Sequence, residues 1–155
     1  MRVHIAAIGR LGRGPEAELV ADYQSRFDKT GRQQGLGPLS IREMEAKKSG
    51  MEAESVLLDG AVPKGAFVVA LDERGRVMTS PMFADHLGSW RDQGRGDVCF
   101  LIGGADGLHP ELRAQADFKL SFGAMVWPHA LARVMLCEQL YRAASILAGS
   151  PYHRV

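Results

Sequence analysis

The sequence predicts an α/β fold: an open, mainly parallel sheet of five or six strands with helices on both faces. Short apolar runs alternate with helical segments along the whole chain, which is typical of strand–helix–strand units. The runs are apolar without interruption, as expected of strands covered on both faces. Because the chain has 155 residues and contains no internal repeat or linker, we expect a single domain over residues 1–155.

The first half of the chain contributes two predicted strand–helix units. Pro15 follows a glycine-rich loop and suits the first turn of a helix, and the string that begins at Pro63 breaks the second helix. The predicted elements, in order, are a strand at 2–8, a helix from Pro15 to about Lys29, a weakly indicated strand at 39–44 and a helix at 47–58.

The second half contributes three strands and three helices. A polar turn at 72–75 is expected to end the first of these strands, and Gly103 and Gly104 to end the second. Pro110 is allowed in the first turn of a short helix. The predicted elements are strands at 67–71, 98–102 and 118–122, helices from 80 to near 94, from 109 and at 130–148, and a loop at 123–128.

Charge and composition argue against several classes of protein. Lys and Arg number 19 against 18 Asp and Glu, a formal net charge of +1, so bulk charge does not indicate a nucleic-acid-binding protein. No apolar stretch approaches the length of a membrane span, and we expect a cytoplasmic protein with no membrane partner. Cys99 and Cys137 each lie in an apolar run, which predicts buried free thiols rather than a disulfide or a metal site.

Glycine-rich or polar loops follow three predicted strands, beginning at Asp72, Gly103 and Gly123. Ligands of open parallel sheets lie beyond the carboxyl ends of the strands, so these loops are expected to line one site. The run LIGGADGL at 101–108 lets backbone N–H groups approach a ligand, although a simple strand-end turn explains it equally well. Its spacing matches neither a dinucleotide nor a triphosphate loop. The sequence shows no metal-ligand spacing and no nucleophile elbow.

The helix at 130–148 is apolar almost all round. One face can pack on the sheet, but the opposite face needs a partner, which predicts a two-fold homodimer built on this helix. Glu138 and Arg142 are four residues apart, so an ordinary intrahelical ion pair and a functional role for Arg142 are alternatives. Arg133 and Arg142 are both candidates for presenting a cation to an anionic partner.

The residues that flank this helix are ambiguous by composition. His129 is expected to cap the helix or to pack, rather than to catalyse. The tail at 150–155 contains Tyr152, whose ring can stack on a base, and Arg154, which can hold a phosphate. Composition by itself nevertheless predicts a frayed end.

The same segments carry a resemblance to a known family. The runs concerned are LIGGADGL at 101–108, Pro128-His129, Leu131-x-Arg133, EQLYRA at 138–143 and PYHR at 151–154. Together, and over essentially the whole chain, they resemble the bacterial RlmH family of the SPOUT superfamily of knotted methyltransferases. The resemblance implies N3-methylation of a pseudouridine in large-subunit ribosomal RNA, S-adenosylmethionine as the methyl donor, and a C-terminal trefoil knot.

The resemblance also implies a cofactor site built from three loops. Two positions depart from the usual family pattern: Val126 replaces a threonine, and Ala105-Asp106 replaces Pro-Glu. The absence of the threonine hydroxyl predicts a pocket with altered contacts to the cofactor rather than an inactive one, because backbone groups can still bind the cofactor. The cofactor-binding residues implied are Leu71, Gly103, Gly104, Phe122, Gly123, Ala124, Met125, Val126 and Trp127.

On the acceptor side, an imide nitrogen must lose its proton before it attacks the methyl group. Arg142 and Arg154 are expected to stabilise the resulting anion or a flanking phosphate. His153 is the candidate proton acceptor, and Tyr152 is expected to stack on the base. Because net charge is low, we expect the dimer to dock on an assembled ribosome. Two other classes stay open: a nucleotide-binding enzyme of flavodoxin-like topology, and a non-catalytic ribosome-associated assembly factor with the same fold.

Overall fold

The computed structural model describes residues 1–48 and 50–154, and it confirms the predicted fold class. Five strands pair in parallel within one sheet. The elements along the chain are β1 (Arg2–Ile8), α1 (Pro15–Arg32), β2 (Leu39–Met44), α2 (Met51–Ala61), β3 (Phe67–Val77), α3 (Ser80–Asp92), β4 (Asp97–Ile102), α4 (Pro110–Gln115), β5 (Phe118–Ser121) and α5 (His129–Leu147). Their order across the sheet is β2-β1-β4-β3-β5.

Helices cover both faces of the sheet, as predicted. On one face, α1, α3 and α5 pack over a core that includes Phe27, Phe100 and Leu140. On the other face, α2 and α4 cover a smaller core that includes Leu58 and Leu101. Phe100 and Leu101 are neighbours in β4 and point into different cores. This arrangement is the reason that the strand sequence is apolar without alternation.

The prediction that β3 ends before the polar residues 72–75 was wrong, because the strand continues to Val77. Leu71 and Arg76 both pair with Leu120 of β5, so the register shifts and residues 72–75 form a bulge in the ladder. A side chain on Gly75 would lie 2.8 Å from the carbonyl carbon of Lys119, which only glycine avoids. The polar turn is therefore an insertion within the strand, at the carboxyl edge of the sheet.

The second helix was predicted at 47–58 and is observed at Met51–Ala61. Gly50 at its N-cap has a φ of 121°, a backbone conformation that glycine tolerates and a continuing helix does not. Lys47 and Lys48 therefore lie before the helix, and Ser49 lies outside the described residues. Apolar spacing alone did not identify the glycine as the start of the helix.

Arg133 on α5 does not present its cation to a partner, contrary to the expectation from sequence. Its side chain is 0% exposed. Its guanidinium donates to Glu43 Oε2 at 2.6 Å and to the carbonyl oxygens of Ile8 and Gly9 at 3.2 and 3.0 Å. Glu43 also accepts the backbone N–H of Leu11 at 2.8 Å. This buried network attaches the first turns of α5 to the ends of β1 and β2.

Cys99 and Cys137 are buried free thiols, as predicted. Burial raises the pKa of each to about 12, so both stay protonated and chemically inert near neutral pH. Within residues 1–48 and 50–154, no helix is both long enough and apolar enough to cross a membrane.

Candidate active site

A cleft opens at the carboxyl edge of the sheet, where β4, β3 and β5 are neighbours. Its volume is about 720 Å³, within the usual range for sites that bind small organic molecules. The structure brings to this cleft all the residues predicted for the cofactor except Ala124. The predicted residues that line it are Leu71, Gly103, Gly104, Phe122, Gly123, Met125, Val126 and Trp127.

The glycines after β4 have a packing requirement as well as a position in the cleft. A Cβ on Gly103 would lie 2.6 Å from the carbonyl carbon of Gly107, and one on Gly104 would lie 2.6 Å from Glu54 Oε2. Gly107 donates its backbone N–H to the carbonyl of Gly104 at 3.0 Å. The loop is therefore folded tightly on itself, and both alternatives from sequence apply: it is a strand-end turn, and it lines the cleft.

The segment after β5 forms the other wall. Ser121 orders its beginning, because its hydroxyl donates to the carbonyl of Glu73 at 3.0 Å and accepts the N–H of Gly123 at 3.0 Å. Met125 and Val126 are 73% and 82% exposed. The valine that replaces the family's usual threonine thus leaves its side chain largely in solvent, while the loop backbone stays beside the cleft.

Charged groups converge on the cleft from three elements. Asp72 follows Leu71, and its carboxylate lies 3.1 Å from Arg113 Nε of α4. His129 begins α5 and lines the cleft; its Nδ1 atom is buried without a hydrogen-bond partner among the described residues. Burial, and secondarily Asp106, raise the pKa of Glu54, whereas His129 opposes that shift.

The tail forms a second polar cluster with the C-terminal half of α5, from Glu138 onward. Glu138 Oε1 accepts hydrogen bonds from Arg142 Nη2 at 2.6 Å and from the Tyr152 hydroxyl at 3.0 Å. The ring centroids of Tyr152 and Tyr141 lie 4.5 Å apart. The guanidinium carbon of Arg142 lies 4.7 Å from the centroid of the Tyr152 ring. Burial, and then the bond to Glu138, raise the pKa of Tyr152 above its usual value. The frayed tail predicted from composition was therefore wrong up to residue 154; Val155 lies outside the described residues.

Within this cluster His153 has a defined hydrogen-bond role. Arg142 Nη1 lies 3.2 Å from His153 Nδ1. A guanidinium can only donate, so Nδ1 accepts and a neutral ring carries its proton on Nε2. Arg154 is exposed. The predicted intrahelical pair is present, since Arg142 and Glu138 form an (i, i+4) salt bridge, and the hydrogen bond to Glu138 raises the pKa of Arg142.

The two polar sites of one chain do not meet. His129 lies at the cleft and Arg142 at the tail, about 20 Å apart along the helix axis at about 1.5 Å of rise per residue. Arg142, Tyr152 and His153 are absent from the lining of the cleft. The structure thus brings the predicted cofactor residues together and the predicted acceptor residues together, but in separate places.

An apolar cavity of about 400 Å³ lies between these sites, on the face of α1, α3 and α5. Leu19, Tyr23, Phe83, Met135 and Glu138 are among its walls. Three exposed large apolar residues lie in the cavity wall or close to it in sequence. Val77 lines the cavity, and Met82 and Leu131 are near lining residues in the sequence. The part of its wall formed by Val134, Met135, Glu138 and Gln139 belongs to the helix that the sequence predicts as a dimer interface.

Sequence reasoning predicted that the loop beginning at Asp72 lines the site, but it gave the Asp72 carboxylate no role, and it missed two other groups in the cleft. Arg113 lies on a short helix, and no pattern in the sequence marked it. His129 was expected only to cap or pack. Among the described residues, no group of three or more His, Cys, Asp or Glu side chains is arranged to hold a metal ion.

A parallel sheet whose glycine-rich strand ends line a cleft is typical of α/β proteins that bind an organic cofactor there. The model of the family described as "Predicted SPOUT methyltransferase" matches residues 1–153, and the chain belongs to this family. Its members use S-adenosylmethionine, and the chain is an S-adenosylmethionine-dependent methyltransferase.

Relatives of known description are similar over their full length. Ribosomal RNA large subunit methyltransferase H of Dinoroseobacter shibae is 64% identical over 156 residues, covering 100% of both chains. Proteins of the same description from Ruegeria pomeroyi and Paracoccus denitrificans are 63% and 59% identical, covering 100% and 99% of each chain.

Two solved structures share the fold at low sequence identity. A probable methylase family protein of Haemophilus influenzae aligns with a TM-score of 0.58 and 14% identity, over 99% of this chain and 70% of that one. A probable methyltransferase of Bordetella pertussis aligns with a TM-score of 0.53 and 13% identity, over 92% and 96%.

Proposed function

We propose that this chain transfers a methyl group from S-adenosylmethionine to N3 of a pseudouridine in 23S ribosomal RNA, on the assembled ribosome. The observation that carries the proposal is the full-length, 64% identity to a protein described as ribosomal RNA large subunit methyltransferase H. The pseudouridine and its N3 position follow from the resemblance of the loop and tail motifs to the RlmH family. The C-terminal trefoil knot is a further expectation from that resemblance, and a cytoplasmic location is consistent with action on ribosomal RNA.

The cleft has the chemistry that S-adenosylmethionine requires. Its lining combines glycine backbone, apolar side chains such as Leu71 and Phe122, and both signs of charge. The Oδ2 atom of Asp72 is buried and accepts no hydrogen bond from residues 1–48 or 50–154, which leaves room for a donor. When bound, S-adenosylmethionine supplies a methyl group on a positively charged sulfonium. The loops at 103–104 and 122–127 then hold the cofactor through backbone groups and exclude water from one side.

The acceptor side is assigned to Arg142, Tyr152, His153 and Arg154. Arg154 is exposed and can hold a phosphate or the anion that forms when N3 loses its proton. Arg142 already lies beside His153 and adds positive charge that favours the same anion. His153 can accept the N3 proton on Nδ1 once that atom leaves Arg142. Tyr152 can stack on the base only after it separates from Tyr141.

A two-fold homodimer would bring the tail of one copy close to the cleft of the other, although the two lie far apart within one chain. A two-fold axis across the middle of α5 makes the two copies antiparallel, because an isologous contact pairs each end of the helix with the opposite end. The tail of one copy then approaches the cleft of the other. Met135 and Glu138 lie near that midpoint and line the apolar cavity, which a second copy would cover.

Recognition of the RNA is proposed to depend on the ribosome as a shaped partner. The net charge is +1, and nonspecific affinity for RNA depends on the phosphates that a protein can neutralise. The chain therefore lacks the bulk charge to hold protein-free RNA tightly. We expect the dimer to dock on an assembled particle that presents the target base.

Methyl transfer to ribosomes from a strain that lacks the modification tests this proposal. Mass spectrometry of the nucleosides should show one new N3-methylpseudouridine per ribosome, with protein-free 23S RNA methylated far less. Cofactor binding without any methyl transfer would favour the assembly-factor alternative. Strong methylation of protein-free RNA would show that docking on the ribosome is not required.

Mixed dimers test whether one site combines two chains. A Gly103→Ala chain and a chain carrying His153→Ala with Arg154→Ala are co-expressed with different tags, and the heterodimer is isolated. Since each heterodimer retains one intact cleft facing one intact tail, about half of the wild-type activity should return. Light scattering should give about twice the 16.9 kDa of one chain. A monomer at micromolar concentration, or a heterodimer without activity, would refute the shared site.

A further inference from the structure

Asp72 places a buried carboxylate in the wall of the cleft. Its side chain is 8% exposed. One oxygen, Oδ1, accepts hydrogen bonds from the backbone N–H of Arg74 at 3.0 Å and from Arg74 Nε at 3.5 Å. The other, Oδ2, lies 3.1 Å from Arg113 Nε, but the pair is not aligned for an N–H···O bond, and Oδ2 has no hydrogen-bond partner among the described residues.

An arrangement of this kind is unfavourable in the protein by itself. A buried carboxylate oxygen needs donors to replace the water that it has lost. Arg113 neutralises the charge but does not complete the bonding of Oδ2. Both side chains line the same cleft, and the Arg113 side chain keeps 21% of its surface exposed. The guanidinium therefore has donors left for a further acceptor.

A carboxylate and a guanidinium side by side match the two ends of an α-amino acid. An ammonium group can donate to Oδ2, and a carboxylate can accept from Arg113, with each charge facing its opposite. S-adenosylmethionine ends in such a zwitterion. The adenosine part is apolar by comparison and suits the glycine and apolar lining elsewhere in the cleft.

We propose that Asp72 and Arg113 recognise the amino-acid end of S-adenosylmethionine. Asp72 binds the ammonium group of the cofactor, and Arg113 binds the carboxylate of the cofactor. This inference rests on the proposal that the cofactor occupies this cleft. It assigns to β3 and α4 a charge-pairing role that the glycine-rich loops do not provide, because backbone N–H and C=O groups carry no net charge.

Calorimetric titration with two ligands tests the assignment without measuring activity. S-adenosylhomocysteine carries the amino-acid end, and 5′-methylthioadenosine lacks it. Asp72→Asn and Arg113→Gln should each lower the affinity for S-adenosylhomocysteine by about tenfold or more, which is the scale of one charge-assisted hydrogen bond. The affinity for 5′-methylthioadenosine should stay within about twofold of wild type. Asp92→Asn, an exposed carboxylate outside the cleft, is the matched control.

Other outcomes would overturn the inference in distinguishable ways. Equal weakening of both ligands would assign Asp72 to the ribose or to loop architecture, and thermal melting of each ligand-free variant shows whether the fold has changed. Unchanged affinity for both would remove Asp72 and Arg113 from the site. Failure of the wild-type protein to bind either ligand would instead refute the cleft as the cofactor site.

Discussion

The cleft and the tail lie at opposite ends of one helix and differ in how their polar groups are satisfied. At the cleft, Asp72 Oδ2 and His129 Nδ1 are buried and have no hydrogen-bond partner in the part of the chain that the structure describes. At the tail, Glu138 accepts four hydrogen bonds, including those from Arg142 and Tyr152. The cleft is thus open to a ligand as it stands, whereas the tail is closed on itself.

The difference bears on the order in which the two sites act. A site with unsatisfied polar groups gains hydrogen bonds when a ligand enters. A satisfied cluster must first give up bonds before it can bind. We therefore expect cofactor binding to need little rearrangement, and expect the tail to rearrange when it meets the acceptor base or a second copy of the chain.

The largest expected effect comes from Arg133→Met, which breaks the attachment of the cleft end of α5. The substitution leaves Glu43 and the carbonyls of Ile8 and Gly9 without their buried donor. Breaking a buried pair costs about 3–5 kcal/mol, and urea unfolding should show a loss of that size. Arg26→Met, which removes an exposed (i, i+4) pair with Asp22, should cost far less, because exposed ion pairs contribute little to stability. Equal losses would show that Arg133 is not the anchor.

Gly103→Ala should disable the cleft and leave the tail unchanged. Its Cβ would meet the backbone of Gly107 at 2.6 Å, so the loop must move. A displacement of about 1 Å can reduce catalysis about 100-fold, so turnover should fall on that scale, and calorimetry should show weaker binding of S-adenosylhomocysteine. Gly60→Ala is the control, because an added Cβ there would have no atom of another described segment within 4 Å. Unchanged affinity in Gly103→Ala would separate this loop from the cofactor.

Glu138→Gln should have the converse effect. It removes the charge to which Arg142 and Tyr152 donate, and about tenfold lower turnover is expected from losing charge-assisted bonds. The affinity for S-adenosylhomocysteine should stay within about twofold, because Glu138 does not line the cleft. Glu52→Gln, on the first turn of α2, is the control. A large loss of cofactor affinity would mean that the two ends of α5 are coupled.

The raised pKa of Tyr152 offers a spectroscopic probe of the tail. Burial is the largest cause and the bond to Glu138 the next. A group whose folded pKa is raised stabilises the fold below its unfolded pKa of about 10, and that contribution is lost as pH rises through the folded value. Tyrosinate absorbance should therefore show one late-titrating tyrosine, absent in Tyr152→Phe and earlier in Glu138→Gln. An identical titration in Tyr152→Phe would contradict this.

The smallest effect is expected from Glu54→Gln, whose carboxylate lies behind the cleft, against Gly104 of the loop that lines it. Burial and Asp106 raise the pKa of Glu54 from 4.5. Protonated Glu54 therefore stabilises the fold below pH 4.5. This contribution is lost as pH rises and the carboxyl group ionises, so the ionised side chain is unfavourable for stability at neutral pH. The variant should be slightly more stable than wild type at pH 7, by less than about 1 kcal/mol. The gain should disappear below pH 4.5; a destabilised variant at pH 7 would refute the sign.

Much of the fold and of the cleft could be predicted because the signals are local. The apolar run at Phe67 and the glycines at 103 and 104 identify strands and their ends. The topology of parallel sheets then brings those ends together. The errors concern Gly50, which began α2 later than its apolar pattern indicated, and the bulge after Leu71, where pairing with β5 outweighs the turn propensity of the polar residues.

The sequence by itself determined the α/β class, the strand ends that line the cleft and the apolar character of α5, because each depends on periodicity or on glycine within a short segment. Only the tertiary structure decided that Arg133 is a buried anchor while Arg142 is part of the tail cluster. Two arginines on one helix look alike in sequence. Their roles depend on what folds against them, namely Glu43 of β2 for one and the returning tail for the other.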